Sequence, residues 1–292
     1  MRRVVVVLAL LAPLLASCGD EDGGGGDGGG GNGWEPCDVT AVDIGHPTGG
    51  TDVVVRFGYG GGLPPPMYMP DELPDLLLYG DGRLLVSDPE GSWAVPRMLE
   101  SQLDEAQVQR MLHTIEGTCS VERDWQLDAP VYDVGGLFIQ VTTDEGTHTT
   151  FSVGQDFDEI AESIPDWQNE QRAALSALGP DLWAIAEEAG SVPYEPEGLG
   201  VFFEPMDGAP AEGTPTAAWP LKVDLATFGE PNPMYATARC GIVEGADIDA
   251  VQTALTPDPS GHSPVIEDAG AYFQLVTQPM LPGETDCLAL VA

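Results

Sequence analysis

The first 33 residues constrain this chain more than any other part of it. Arg2 and Arg3 precede an apolar run from Val4 to Leu15, which is too short to remain in a bilayer as a spanning helix. Two small residues then lead to Cys18. A basic start, a short apolar run and a cysteine behind small residues are typical of a bacterial lipoprotein signal, so we expect residues 1–17 to be removed.

The same signal predicts how the mature chain is held. In lipoproteins the cysteine thiol carries a diacylglycerol and the freed amine is often acylated, with palmitate a common chain, so we expect lipidation at Cys18. Each buried methylene contributes about 0.8 kcal/mol, and two or three chains give stable anchoring. We therefore expect a protein anchored by lipid to the extracytoplasmic face of the cell membrane. The plain alternative is an ordinary secretory signal with a chance cysteine.

A tether follows the anchor, over residues 18–33. From Gly19 to Gly33 the sequence reads GDEDGGGGDGGGGNG and contains no apolar residue, so it has nothing to bury. Such a stretch spans about 20 Å root-mean-square. Its acids lack the ligand spacing of a calcium loop, which favours solvation over cation binding.

The charge excludes whole classes of partner. The chain has 48 acidic and 10 basic side chains, and Lys222 is its one lysine. Cleavage before Cys18 removes two arginines and no acids, which leaves a net charge of −40. No basic patch can form, so nucleic acid is excluded as a partner, and membrane contact is expected through the lipid anchor only. A solvated secreted surface, or a basic partner, suits this charge.

Four cysteines remain for disulfides once Cys18 carries lipid: Cys37, Cys119, Cys240 and Cys287. They allow three pairings. We favour Cys37–Cys119 and Cys240–Cys287, because each then closes within one half of the chain. Loops this long would contribute about 4 kcal/mol each in the chain-entropy model. No two of these cysteines have the spacing of metal ligands, so no metal site is predicted.

The hydrophobic pattern predicts two α+β modules. The expected elements are a strand over 51–59, hairpins over 75–86 and 137–153, a helix over 103–117, helices over 167–178 and 181–189, strands over 199–203, 235–243 and 271–277, and a helix over 246–255. Hairpins joined to helices favour an α+β fold, with antiparallel hairpins and helices packed on one face. We place an N-terminal module at 34–190 and a smaller α+β module at 191–292, with a linker from Ser191 to Glu197.

Known catalytic motifs are missing from the sequence. There is no Gly-x-Ser-x-Gly, no His-Glu-x-x-His, and no Lys-Ser/Thr behind the glycines at 58–62. The four histidines are scattered, and carboxylates are too abundant for one pair to stand out. No catalytic residue and no cofactor is predicted.

One loop is a candidate for binding a partner. Leu63, Met67, Tyr68 and Met69 lie in the proline-rich segment from Leu63 to Pro74, where stiffening lowers the ordering cost of binding. The alternative is that these side chains fold back over a sheet edge or the core. The six tryptophans would also allow a sugar-stacking site, although core contacts are the plainer interpretation.

Several segments resemble a known group of proteins. They are TDVVVRFGYGGGLPPPMYMPDELPDLLLYGDGRLLV, WPLKVDLATFG, RCGIVEGAD and LPGETDC, spread over most of residues 53–292. The chain resembles uncharacterised secreted lipoproteins of high-GC Gram-positive (actinobacterial) bacteria. The resemblance implies the same fold and location, and it brings no assigned activity.

The sequence leaves three functions open. We expect a non-catalytic envelope protein that binds a partner or ligand, such as a protein or a cell-wall component. The alternatives are an envelope hydrolase without a recognisable motif and a structural accessory protein of the wall.

Overall fold

The computed structural model describes residues 37–61, 73–92, 94–131, 134–155, 162–232, 237–258 and 262–287. Within these ranges the protein is α+β, with two mostly antiparallel sheets and three α-helices. None of these helices has the length and apolar character needed to cross a membrane. Cys18, the tether and the predicted loop residues Leu63, Met67, Tyr68 and Met69 lie outside the described residues.

The first sheet has eight strands. They are β1 (Val53–Gly61), β2 (Leu76–Tyr79), β3 (Arg83–Ser87), β4 (Met98–Gln102), β5 (Trp125–Leu127), β6 (Gly135–Thr143), β7 (Gly146–Val153) and β8 (Val192–Pro193). Their order is β5-β7-β6-β1-β2-β3-β4-β8, and only the β5–β7 pair is parallel. Both predicted hairpins form, as β2–β3 and β6–β7. Gly82 turns the first with a φ of 82°, and a Cβ there would lie 2.5 Å from the Leu103 carbonyl oxygen.

Helices α1 (Glu105–Glu116) and α2 (Asp166–Ala189) pack against one face of this sheet. A capping box begins α1: the Gln107 N–H donates to Asp104 Oδ1 and the Asp104 N–H donates to Gln107 Oε1, each at 2.9 Å. Buried side chains of α1 and α2, such as Leu112 and Leu178, share one apolar cluster with Phe57 and Leu78 of the sheet. We call this side the inner face.

The prediction of two helices separated at Gly179-Pro180 is wrong. One helix of 24 residues runs through Pro180. Proline inside a helix costs about 3 kcal/mol, whereas each fully buried leucine or isoleucine contributes about 1.5–3 kcal/mol. Leu178, Leu182 and Ile185 lie on both sides of the proline and are buried in the same cluster, so a continuous helix is favoured.

The second sheet has six strands and packs against one helix. The strands are β9 (Gly198–Pro205), β10 (Thr216–Ala218), β11 (Glu230–Pro231), β12 (Arg239–Glu244), β13 (Val265–Asp268) and β14 (Ala271–Pro279). The helix is α3 (Ala246–Ala254). The strand order is β10-β13-β14-β9-β12-β11. The central strand β9 is buried on both faces, since Phe203 packs in the cluster that contains α3 and Phe202 packs in a separate cluster with Val276.

The predicted linker is wrong for Val192 and Pro193. These residues form β8, which pairs with Leu99 and Glu100 of the first sheet. Conversely, Ala94 precedes the predicted linker in sequence but packs in the core of the second sheet. Its carbonyl accepts the backbone N–H and the hydroxyl of Thr277, each at 2.9 Å. The division into modules at 34–190 and 191–292 stays a prediction.

Two disulfides join the pairs favoured from the sequence. Cys37 is bonded to Cys119, with 5.2 Å between their Cα atoms, and Cys240 to Cys287, with 5.8 Å. The first bond ties the segment 37–46 to the turn that follows α1. The second ties β12 to the end of the described chain.

Candidate functional site

The two faces of the first sheet have different surroundings. We call the side opposite α1 and α2 the outer face. Since residues directly opposite each other in a ladder point to the same side, the register of β7, β6, β1 and β2 arranges the outer face in rows. The rows are Phe151, Phe138 and Gly58; then Thr149, Gln140, Arg56 and Leu77; then Thr147 and Thr142.

Residues that follow α2 in sequence cover the half of the outer face formed by β2 and β3. Leu77, Tyr79 and Leu85 are buried there, with Tyr194 and Leu281 packed against them. The Tyr194 hydroxyl donates to the Met280 carbonyl at 2.9 Å. Burial raises the pKa of Tyr194 to about 12 and also raises the pKa of Tyr79.

The other half is what we call the aromatic half. Phe138 and Phe151 are half-buried, and neither belongs to any cluster of buried apolar side chains in the described part of the chain. The Arg56 guanidinium lies 5.7 Å from the centre of the Phe138 ring. Gln140 and Thr149 are half-buried beside the rings. This half therefore offers partly exposed aromatic rings next to two neutral hydrogen-bonding side chains and one guanidinium.

Two half-buried carboxyl groups lie between these halves. Asp75 Oδ2 accepts the Tyr59 N–H at 3.2 Å, and Glu284 Oε2 accepts the Leu281 N–H at 2.6 Å. Burial raises the pKa of both, and the charge of Arg56 partly offsets this for Glu284. Asp75 thus binds the backbone of β1, and Glu284 binds the backbone of the turn that begins at Leu281.

The described residues Gly61 and Leu73, which flank most of the predicted partner loop, lie beside this site. A Cβ on Gly58 would lie 2.9 Å from the Asp75 nitrogen and 3.2 Å from the Pro74 Cα, so the chain returns directly across β1 at this glycine. Leu73 packs against the covered half of the outer face. Leu63 and residues 67–69, between these ends, lie outside the described residues.

A second concave feature runs along α1. It is an open groove of about 840 Å³ between the segment 37–46 and the helix, lined by Val39, Asp43, Gln109, Arg110 and His113 among others. The Gln109 side chain holds the segment by bonding the backbone N–H and carbonyl of Ile44, at 2.7 and 2.9 Å. Two of its side chains already have partners, since Arg110 forms an ion pair with Glu188 and His113 Nδ1 lies in hydrogen-bond contact with Glu116, each at 2.8 Å.

The histidines stay apart in the structure, as the sequence suggested. Each lies near a different carboxylate: His46 near Glu105, His113 near Glu116, His148 near Asp124 and His262 near Asp258. The described residues contain no group of three or more metal-ligating side chains.

The tryptophans in the described ranges make core contacts. Trp125, Trp167 and Trp183 pack against the first core, and Trp219 is buried in the second. Trp34 and Trp93 lie outside the described residues. The sequence reasoning missed the half-buried rings of the aromatic half, which are Phe138 and Phe151.

The missed residues do carry a sequence signal. In β6, Phe138, Gln140 and Thr142 alternate with the buried Leu137, Ile139 and Val141, so the strand has one apolar face and one mixed face.

A scan against models of known protein families matches none of them to this chain, and a search of curated proteins also finds no match.

Proposed function

We propose that this protein is a lipid-anchored, non-catalytic envelope protein that binds a partner or ligand on the aromatic half of the outer face. The observation that carries the proposal is the pair Phe138 and Phe151, two half-buried rings outside every described apolar cluster. Exposed aromatic area beside polar groups is typical of binding surfaces.

The location rests on separate features. The signal and Cys18 support lipidation and display on the extracytoplasmic side, as does the resemblance to secreted actinobacterial lipoproteins. The two disulfides suit an oxidising compartment. A net charge of −38 over the whole chain supports anchoring by lipid rather than by contact with anionic headgroups.

Hydrolysis is the rival function, and one observation favours it. Burial raises the pKa of Asp75 and of Glu284, and the charge of Arg56 acts on Glu284. Carboxyl groups with raised pKa values are common at catalytic sites. However, both carboxylates accept backbone N–H groups, and this structural role accounts for their positions. Binding therefore explains the outer face with fewer assumptions.

Site-specific photo-crosslinking in the native envelope tests the binding site. A photoreactive residue in place of Gln140 should capture a defined partner or wall fragment. A matched probe in place of Val42, which is 73% exposed on the segment 37–46, should not capture it. Equal capture from both positions would overturn the assignment to the outer face. Substrate turnover that is lost in Glu284→Gln would reverse the ranking in favour of a hydrolase.

Membrane fractionation tests the anchor separately. The Cys18→Ser variant should leave the membrane fraction that holds the wild-type protein, because it lacks the acylated thiol. A variant that still fractionates with membranes like wild type would refute lipidation at Cys18.

The proline-rich loop supplies a further part of the proposed surface. Replacing Tyr68 and Met69 with serine should weaken capture while leaving the melting temperature nearly unchanged. A large loss of stability would show that these side chains belong to the core.

A further inference from the structure

We propose that the aromatic half of the outer face binds a neutral glycan chain. This rests on the proposed binding function and names its ligand class. Three properties of the surface lead to it: the placement of the rings, the type of hydrogen-bonding group beside them, and the position of the carboxylates.

The two rings are neighbours on one flat surface. Phe138 and Phe151 are directly opposite each other in the β6–β7 ladder, where Cβ atoms are about 4.5–5.5 Å apart. The face of an aromatic ring carries partial negative charge, and the C–H groups on the flat side of a sugar ring carry partial positive charge. A sugar ring stacked on this pair would gain both contact area and electrostatic attraction.

The adjoining rows match hydroxyl groups. Thr149 and Gln140 share the next row with Arg56 and Leu77. Thr142 and Thr147, whose hydroxyl oxygens are 3.1 Å apart, form the row after it. An amide and a hydroxyl each offer both a donor and an acceptor, which is what a sugar hydroxyl needs. Successive rows are about 7 Å apart, so the three rows extend over about 14 Å. This length suits a chain of sugars better than a single one.

The three rows contain one charged side chain, the cation Arg56, in a strongly acidic protein. None of the side chains in the three rows is acidic, although the chain has 48 acidic residues. The acids at its borders, Asp75, Asp124 and Glu284, each accept a backbone N–H. A polyanion would be repelled by these three carboxylates, and a polycation would be repelled by Arg56 and would find no carboxylate among the rings. A neutral ligand avoids the repulsion by the carboxylates and does not need a carboxylate partner.

Calorimetric titration of the lipidated full-length protein, in a detergent without a sugar headgroup, tests the assignment. The probes are cellohexaose, maltohexaose, laminarihexaose and mannohexaose, with hexagalacturonate as the anionic counterpart. At least one neutral hexasaccharide should bind, and hexagalacturonate should bind more weakly. The double variant Phe138→Ala/Phe151→Ala should lose about tenfold or more in affinity. Val42→Ser, a matched change of an exposed apolar residue on the segment 37–46, should bind like wild type.

A second variant guards against misfolding. Gln140→Ala keeps both rings and should still weaken binding several-fold, with an unchanged circular dichroism spectrum. The glycan assignment is overturned if no neutral hexasaccharide binds, if hexagalacturonate binds equally well, or if the ring and Gln140 variants bind like wild type. Capture of a protein from position 140 without sugar binding would overturn the glycan and leave the proposed function standing. Failure of both experiments would overturn both.

Discussion

Replacing Arg172 with methionine should show how α2 is held on the first sheet. Arg172 is 6% exposed, and burial lowers the pKa of its guanidinium. The guanidinium donates to the carbonyls of Val153 at 2.7 Å and Leu127 at 2.8 Å, with a longer contact to Asp128 at 3.5 Å. These carbonyls lie at the ends of β7 and β5, so one side chain joins the helix to two strands.

The expected loss follows from those contacts. A hydrogen bond from a charged donor contributes about 1.5–3 kcal/mol, and a buried carbonyl left without a partner costs about 1–3 kcal/mol. Methionine keeps most of the apolar stem, and removing a buried charge offsets part of the loss. We therefore expect Arg172→Met to lower the free energy of unfolding by about 3 kcal/mol.

Urea unfolding of the purified protein, read as midpoint and slope, measures this loss. Arg110→Met is the control, because Arg110 pairs with Glu188 at 2.8 Å while both side chains are about half exposed, a pair that contributes about 0–1 kcal/mol. Equal losses for the two variants, or a loss under about 1 kcal/mol for Arg172→Met, would refute the anchoring role.

Three further outcomes are expected. Tyr194→Phe removes the donor to the Met280 carbonyl and should cost about 1 kcal/mol in urea unfolding; no change would show that the hydroxyl is solvated instead. Asp75→Asn should raise the melting temperature at pH 7, because a carboxyl whose pKa is raised on folding stabilises the fold only while protonated, below its unfolded pKa of about 4, and this stability is lost as the pH rises. The difference should shrink on acidification, and a gain independent of pH would contradict this cause. The double variant Cys37→Ser/Cys119→Ser should lower the free energy of unfolding by about 4 kcal/mol, and an unchanged urea midpoint would contradict this.

Local signals explain the elements that the sequence predicted well. The β2–β3 hairpin depends on the turn at Asp81-Gly82, and α1 on the reciprocal bonds between Asp104 and Gln107. Each of these interactions lies within a few residues along the chain, so short-range patterns contain the information.

Long-range packing explains the elements that the sequence did not predict. Val192 and Pro193 form a strand only because β4 lies beside them, and two residues carry no periodicity of their own. Pro180 stays inside α2 because apolar residues on both sides of it meet one core. Both outcomes depend on partners far away in sequence, which local patterns do not reveal.

The candidate site was hidden for a related reason. The alternation in Gly135–Thr143 assigns Phe138 and Gln140 to one side of the sheet, but it does not say whether that side is covered. Tyr194 and Leu281 cover the β2–β3 half of the same face, and these residues come from the other half of the chain. Only the tertiary structure separates the covered half of the outer face from the aromatic half.

The acidic composition of the chain and the absence of carboxylates from the rows of the aromatic half have one combined consequence for binding. Carboxylates over most of the chain repel anionic polymers and headgroups, which leaves surfaces without carboxylates for close contact. At the aromatic half, the bordering acids Asp75, Asp124 and Glu284 accept backbone N–H groups, so they are held at the edges rather than among the rings. If the proposed function is correct, the specificity of this surface for its ligand would come from the exclusion of polyanionic ligands as much as from attraction to Phe138 and Phe151.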